Sequence, residues 1–291
     1  MKPTDKQKGI TALILLAFVY ASMGLFVRYL TVFSIFQQLY LRLLAAVVLG
    51  FIVFGKTLDY SKLKKIPAKE WGLLILRAIC YYLIGVALFT KAVLLTKIST
   101  VSFIGSLPTT AVLGFLILKE KVTFKKALYI SLAFLGVLII SIKDFSSIFS
   151  WGLGEIIAFI SVMVASYAIV IRKYHSKFLT NNEITQTMLI LGFIFVLITS
   201  LIVGEGIPLA GWSGSTLIIL GLAGFVNVAL MFLTNYGFDK IKTSIASNIL
   251  TLEMFFAVLL GFLFFREIPT IKEIVGAFFI LISVIKMNQL Q

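Results

Sequence analysis

Three ionisable residues, Arg42, Arg77 and Glu253, stand inside long apolar stretches of this 291-residue chain. Charges surrounded by hydrocarbon are costly, and by default they mark substrate or ion pathways. Glu253 lies near the middle of the apolar block 243–265. Its carboxyl suits a proton carrier or a binder of a substrate amine. An ion pair with an arginine from another part of the chain is the structural alternative. Arg42 and Arg77 offer planar forks of donors that match a carboxylate or a phosphate. For Arg77 the competing reading is a long stem snorkelling to the nearer membrane surface. Two arginines against one glutamate leave this interior net positive, which favours an anionic or zwitterionic ligand.

Polar and aromatic residues within the same kind of block extend the candidate set. They are Ser22, Tyr81, Tyr82, Ser166, Asn227 and Asn248, with Tyr20 and Tyr167 beside the two serines. Each has a plainer use in hydrogen bonds between packed helices. Pro108 falls inside an apolar block, where a missing N–H and a ring clash kink a helix and free a carbonyl. Other chemistry is absent from the pattern. The single cysteine, Cys80, and the single histidine, His175, form no metal-ligand set, and His175 in a basic loop is expected to be solvated. No H-E-x-x-H, G-x-S-x-G or phosphate-loop motif occurs, so neither a metal nor a cofactor is expected, and the chain does not read as an enzyme. Nor is there a candidate selectivity filter of the kind a channel needs.

The elements that position these residues follow from composition. Apolar residues make up 60% of the chain and charged residues 13%, against about a quarter charged in soluble domains. The apolar residues fall in blocks of about 17–25, the length that carries a helix across a bilayer. Alternating ten-residue segments of a β-barrel are not seen. The sequence therefore predicts an all-α membrane protein with ten transmembrane helices, at 10–30, 34–55, 71–92, 98–118, 126–142, 151–171, 185–203, 215–236, 243–265 and 270–286. Trp71, Trp151 and Trp212 sit at span starts, as an interfacial aromatic belt would place them. The N-terminal apolar run is too long for a signal peptide and reads as a retained first helix.

The net charge of +14 has a topological origin. With the N-terminus in the cytoplasm, 18 of the 26 Lys and Arg residues fall on the inner side, in the N-terminal tail, in the loops around 56–69, 119–126, 172–177 and 240–242, and at Lys286. Six fall outside: Arg28, Lys91, Lys97, Lys143, Arg266 and Lys272. This is the positive-inside asymmetry, and it predicts a cytoplasmic (inner) membrane protein with both termini cytoplasmic and no nucleic-acid role.

The chain also repeats itself. Residues 111–123, AVLGFLILKEKVT, align with residues 257–270, AVLLGFLFFREIPT, after one insertion, matching Gly114 with Gly261, Phe115 with Phe262, Glu120 with Glu267 and Thr123 with Thr270. Ala21-Ser22 with Arg28 is echoed by Ala165-Ser166 with Arg172. Two five-helix halves, 1–148 and 149–291, must cross the membrane in opposite directions because five is odd. Inverted repeats are a common transporter plan, with the ligand near the midplane.

Two such halves, each with a helix, a Gly-x-x-x-x-x-Glu turn and a closing helix, resemble the EamA-type ten-helix branch of the drug/metabolite transporter superfamily. The stretches LYLRLLAAVVL around Arg42 and LLILRAICYYLIGVALFTKA around Arg77 resemble its second and third helices. SLPTTA with Pro108 and TLEMFFAV with Glu253 sit where the family often has Leu-x-Pro or Leu-Glu-Pro. Met254 stands in place of the usual proline, and Tyr129 where glycine is common, which leaves kinking of the second half open. The resemblance implies a secondary transporter of small organic metabolites working by alternating access. Its partners would be a small-molecule substrate, the lipid bilayer and, if Glu253 carries protons, a proton gradient. An uncoupled facilitator or exchanger is the alternative. Export is the direction the family suggests.

Overall fold

The computed structural model describes residues 4–96, 98–121, 123–141, 152–266 and 268–290. Lys97, Lys143, Trp151 and Glu267, all used in the sequence reading, lie outside these residues. The described residues form fourteen α-helices with short 3-10 turns and one π-helical segment, and no strand. Backbone groups in hydrocarbon have no water to bond, so helices meet that demand internally.

The helices are α1 (Asp5–Tyr29), α2 (Ile35–Phe54), α3 (Tyr60–Leu63), α4 (Ala68–Ala78), α5 (Ala87–Leu95), α6 (Ile98–Gly105) and α7 (Thr109–Ile117). They continue with α8 (Phe124–Ser141), α9 (Leu153–Ile171), α10 (Asn181–Ile202), α11 (Gly214–Lys240), α12 (Thr243–Leu250), α13 (Leu252–Phe265) and α14 (Ile271–Asn288). Among the described residues, eight stretches are long and apolar enough to cross a membrane. The helices α8 and α14 are not among them. The 18 residues of α14 include Lys272, Glu273 and Lys286, while α8 starts with Lys125 and Lys126 and runs into residues that are not described.

Local chemistry sets where these helices begin. Thr4, Thr180 and Thr270 cap α1, α10 and α14 in reciprocal boxes with Gln7, Glu183 and Glu273. Each box satisfies amide donors that a helix start leaves without a partner.

Three spans are not the single straight helices that apolar length suggested. The third joins α4 to α5 through a π-helical segment, Ile79–Val86. The fourth breaks between α6 and α7, where Pro108 precedes Thr109 and cannot donate to the helical ladder. The ninth breaks between α12 and α13 without a proline. There the Thr251 hydroxyl donates to the Asn248 carbonyl at 2.7 Å and so competes for a ladder acceptor.

Packing pairs the spans in a regular way. Each of α2 with α10, α7 with α12 and α8 with α14 meets its partner directly, α1 lies along α11 and α13, and α9 lies along the third span and α7. At the α8–α14 crossing a Cβ on Gly136 would stand 2.5 Å from the Gly276 carbonyl oxygen, and one on Gly276 would stand 2.5 Å from that of Gly136. Only glycine admits two backbones this close. Lys119 and Arg266 take φ of 53° and 54°, and are the two non-glycine residues with positive φ among those described. They occupy matched positions in the aligned segments 111–123 and 257–270.

Candidate functional site

Arg77 is 2% exposed and every one of its nitrogens is engaged. Its Nε donates to the Ala168 carbonyl at 3.0 Å, one Nη donates to Asn235 Oδ1 at 2.7 Å, and the other lies 3.4 Å from His175 Nε2. Beyond His175, its Nδ1 lies 2.6 Å from the Glu70 carboxylate, which also accepts from the Ser176 amide at 2.7 Å. Asn235 in turn donates to Thr185 at 3.2 Å. Glu70 and Arg77 share α4, and the other groups belong to α9, the turn after it, α10 and α11. Thus Arg77 does not snorkel to a surface; it is the centre of a buried polar cluster.

This finding also corrects the reading of His175. Its side chain is fully buried, not solvated. Desolvation first, and the Arg77 charge second, push its pKa down to about 4, against the pull of Glu70. The cluster lies on the face that carries both ends of the described chain. Other links join the first and second parts of the sequence there: Lys240 to Asp5 at 3.3 Å, Lys62 to Glu183 at 3.2 Å, and Glu120 to the start of α12. Glu120 accepts from the amides of Thr243 and Ser244 and from the Ser244 hydroxyl at 2.6 Å. Burial raises the Glu120 pKa, but the Ser244 hydroxyl and these two amides outweigh it and hold the carboxyl below its ordinary range.

Arg42 is also 2% exposed but differently served. Its Nε bonds to the Gln38 carbonyl on the preceding turn at 3.1 Å, and one Nη reaches Thr90 at 3.3 Å. The other Nη has no partner, and neither does the buried Oε1 of Gln38. No carboxylate pairs with Arg42 among the described residues. Thr90 lies about one helical turn before Val93 of α5. Val93, with Arg28, Thr31, Leu94, Leu95 and Thr96, lines a cavity of about 600 Å³ on the face opposite the termini.

Glu253, in the first turn of α13, is half-buried. Among the described residues it makes no hydrogen bond or ion pair. Its helix packs along α1, whose Tyr20 hydroxyl sits 3.2 Å from the Tyr81 hydroxyl. Tyr81 stacks edge-on against Tyr82 at 5.1 Å between ring centroids. Both belong to the π-helical segment, and π-bulges recur at functional sites. Tyr82 fits because Gly192 faces it: a Cβ there would stand 2.4 Å from its ring. The structure thus brings Tyr20, Tyr81 and Tyr82 together, with α13, which carries Glu253, packed along α1 and Arg77 one turn before Tyr81 on the third span.

The remaining candidates are used in packing. Ser22 and Asn227 bond to carbonyls of their own helices, at Val19 and Ala223. Ser166 accepts from Thr110 at 2.9 Å and lies 2.8 Å from the Thr109 hydroxyl, which ties α9 to α7 just after Pro108. Asn248 accepts from Ser283 of α14 at 3.0 Å. Sequence reasoning missed Glu70, His175, Asn235, Gln38 and Thr90. Gln38 and Arg42, four apart on one helix face, carried a usable signal; the others meet only through tertiary packing.

Long apolar helices with broken spans and ionisable groups held between them are those of an integral membrane protein. The chain belongs to the EamA-like transporter family, whose model matches residues 7–142 and again residues 152–289. An uncharacterized transporter of Synechocystis sp. is 25% identical over 272 residues, covering 87% of this chain and 75% of that one. A crystal structure of another protein shares the fold at a TM-score of 0.77 and 11% identity, over 97% of this chain and 98% of the other.

Proposed function

We propose that this protein is a secondary carrier of a small anionic or zwitterionic metabolite. It works by alternating access between two inverted five-helix halves, with Glu253 as its proton-coupling group. In this reading α8 and α14 are the fifth and tenth spans, the halves are 1–148 and 149–291, and both termini are cytoplasmic in the inner membrane. The observation that carries the proposal is Glu253, half-buried and without a hydrogen-bond partner among the described residues where the broken ninth span resumes. A structural carboxylate at that depth would be expected to have a bonded partner, whereas a group that must bind and release a proton or a substrate amine needs a free one.

Support for the inverted plan comes from contacts that survive exchanging the halves. The α2–α10 and α8–α14 pairs map onto themselves, α7–α12 maps onto the slighter α6–α13 contact, and α1 along α11 maps onto α9 along the third span. The matching φ angles of Lys119 and Arg266 extend this to backbone detail. Broken helices in corresponding spans, four and nine, are where transporters of this plan hold ligands.

The test is uptake of labelled amino acids, nucleosides and organic anions into proteoliposomes, with and without an inward proton gradient. Saturable uptake of one class that responds to the gradient is expected, and Glu253→Gln is expected to abolish the response while leaving the protein folded. Uptake indifferent to the gradient would keep the carrier and remove Glu253 from the coupling role.

A further inference from the structure

We propose that His175, held between Glu70 and Arg77, is a second proton site: binding a proton there unlatches the two halves on the face that carries the chain termini. The proposal rests on the alternating-access reading, because a latched face must open during such a cycle.

The partners of His175 fix its state. Glu70 is an acceptor, so Nδ1 at 2.6 Å must carry a hydrogen and donate it. Arg77 has only donors, so Nε2 at 3.4 Å must be bare and accept. Only neutral imidazole with the hydrogen on Nδ1 meets both demands. A proton added at Nε2 would set two donors and two positive charges against each other in a buried space. The other charges around the ring do not relieve this. Arg172, in the turn before His175, is itself cationic and is paired to Asp239 of α11 at 3.2 Å. Glu70 is already committed to Nδ1 and the Ser176 amide. Rupture would therefore free α4 from the α9–α10 connection, and with it the hold of Arg77 on Asn235.

The direction of the pH effect follows from linkage. In the latched form His175 is pushed to about 4, and its ordinary value is 6.5. An opened, hydrated His175 therefore takes up a proton more readily than a latched one. The latched form is fully favoured above about pH 6.5 and loses ground as pH falls toward about 4, by up to tenfold per pH unit and roughly 300-fold in all. Opening on this face would thus be accompanied by proton uptake from the compartment it faces.

His175 is the chain's one histidine, so the full-length protein with ¹⁵N-labelled histidine in lipid nanodiscs gives a single imidazole to titrate. The expected spectrum at pH 7 is neutral imidazole protonated at Nδ1; a charged ring at pH 7 would overturn the proposal. A second measurement reads the opening itself. Lys69 and Lys177 are exposed and flank the cluster. Spin labels on Lys69→Cys and Lys177→Cys, with Cys80→Ala, give a distance across it. A longer-distance population is expected to grow from pH 7.5 to 5, and His175→Gln is expected to remove that dependence. A distribution that ignores pH, or one that shifts equally in His175→Gln, would sink the latch. Both readouts follow structure and not uptake, so a failure here leaves the carrier reading standing, and failure to find a substrate leaves this one testable.

Discussion

Two arginines lie in neighbouring spans of the first half at the same 2% exposure, and they are opposites. Arg77 has each nitrogen engaged, two of the contacts in a chain that ends on Glu70 and Thr185. Arg42 has a spare Nη and a spare neighbour in Gln38 Oε1, and neither arginine pairs directly with a carboxylate among the described residues. Burial alone does not separate the two; a nitrogen left without a partner does. A guanidinium with every nitrogen engaged has little left for a ligand, and removing it strands the groups around it. One with donors unspent is costly to the fold and has capacity for an anion. The first lies in the cluster on the face of the termini, and the second bonds Thr90, about one turn before Val93 in the lining of the cavity of about 600 Å³.

The largest expected effect comes from the hub. Arg77→Met should cost about 1–3 kcal/mol of stability for each buried acceptor that it strands. It leaves Asn235 Oδ1 and the Ala168 carbonyl without their donor. Thermal unfolding in nanodiscs measures it. A variant as stable as the parent would erase the distinction between the two arginines.

A smaller effect is expected at Tyr82. Gly192→Ala drives a methyl into the Tyr82 ring, at 2.4 Å in the present geometry. Tyr82 is 1% exposed. Overpacking of this kind costs about 1–3 kcal/mol. The displaced π-helical segment should also weaken substrate affinity. Unchanged stability together with unchanged uptake would mean that Tyr82 has another rotamer available, and that the segment does not shape the site.

Much of this architecture is legible in the sequence, and the gaps have physical causes. Block length announces membrane helices, and Pro108 marks the break in the fourth span because a missing N–H is written in the residue itself. The break at Thr251 is not written that way: a threonine hydroxyl is as content in an unbroken helix, and only its bond to the Asn248 carbonyl reveals the choice. The π-helical segment at Ile79–Val86 is equally silent, since it shares the apolar composition of an α-helix. Among the site candidates, residue type singled out Arg42, Arg77 and Glu253 but could not rank them. His175 was misread for a related reason. A basic loop looks solvated in one dimension, and the carboxylate that buries it, Glu70, lies 105 residues away in the chain.

The smallest effect on the fold, and the sharpest on function, is expected at Arg42. Replacing a buried ion that lacks a counter-charge with an apolar side chain of similar length is often neutral or stabilising. Arg42→Met should therefore unfold no earlier than the parent, with Thr90 keeping its bond to the Val86 carbonyl at 2.8 Å. If the proteoliposome panel yields an anionic substrate, its uptake should nonetheless fall at least tenfold, as expected when a fork that reads its charge is removed. Arg42→Lys separates geometry from charge: a point ammonium in place of the planar fork should restore uptake only in part. If Arg42→Met proves as damaging to stability as Arg77→Met, Arg42 has a structural partner and the anion must be read elsewhere. If stability holds and uptake is also untouched, the unspent Nη is a cost the fold carries without use, and Glu253 with its tyrosines is left as the whole of the site.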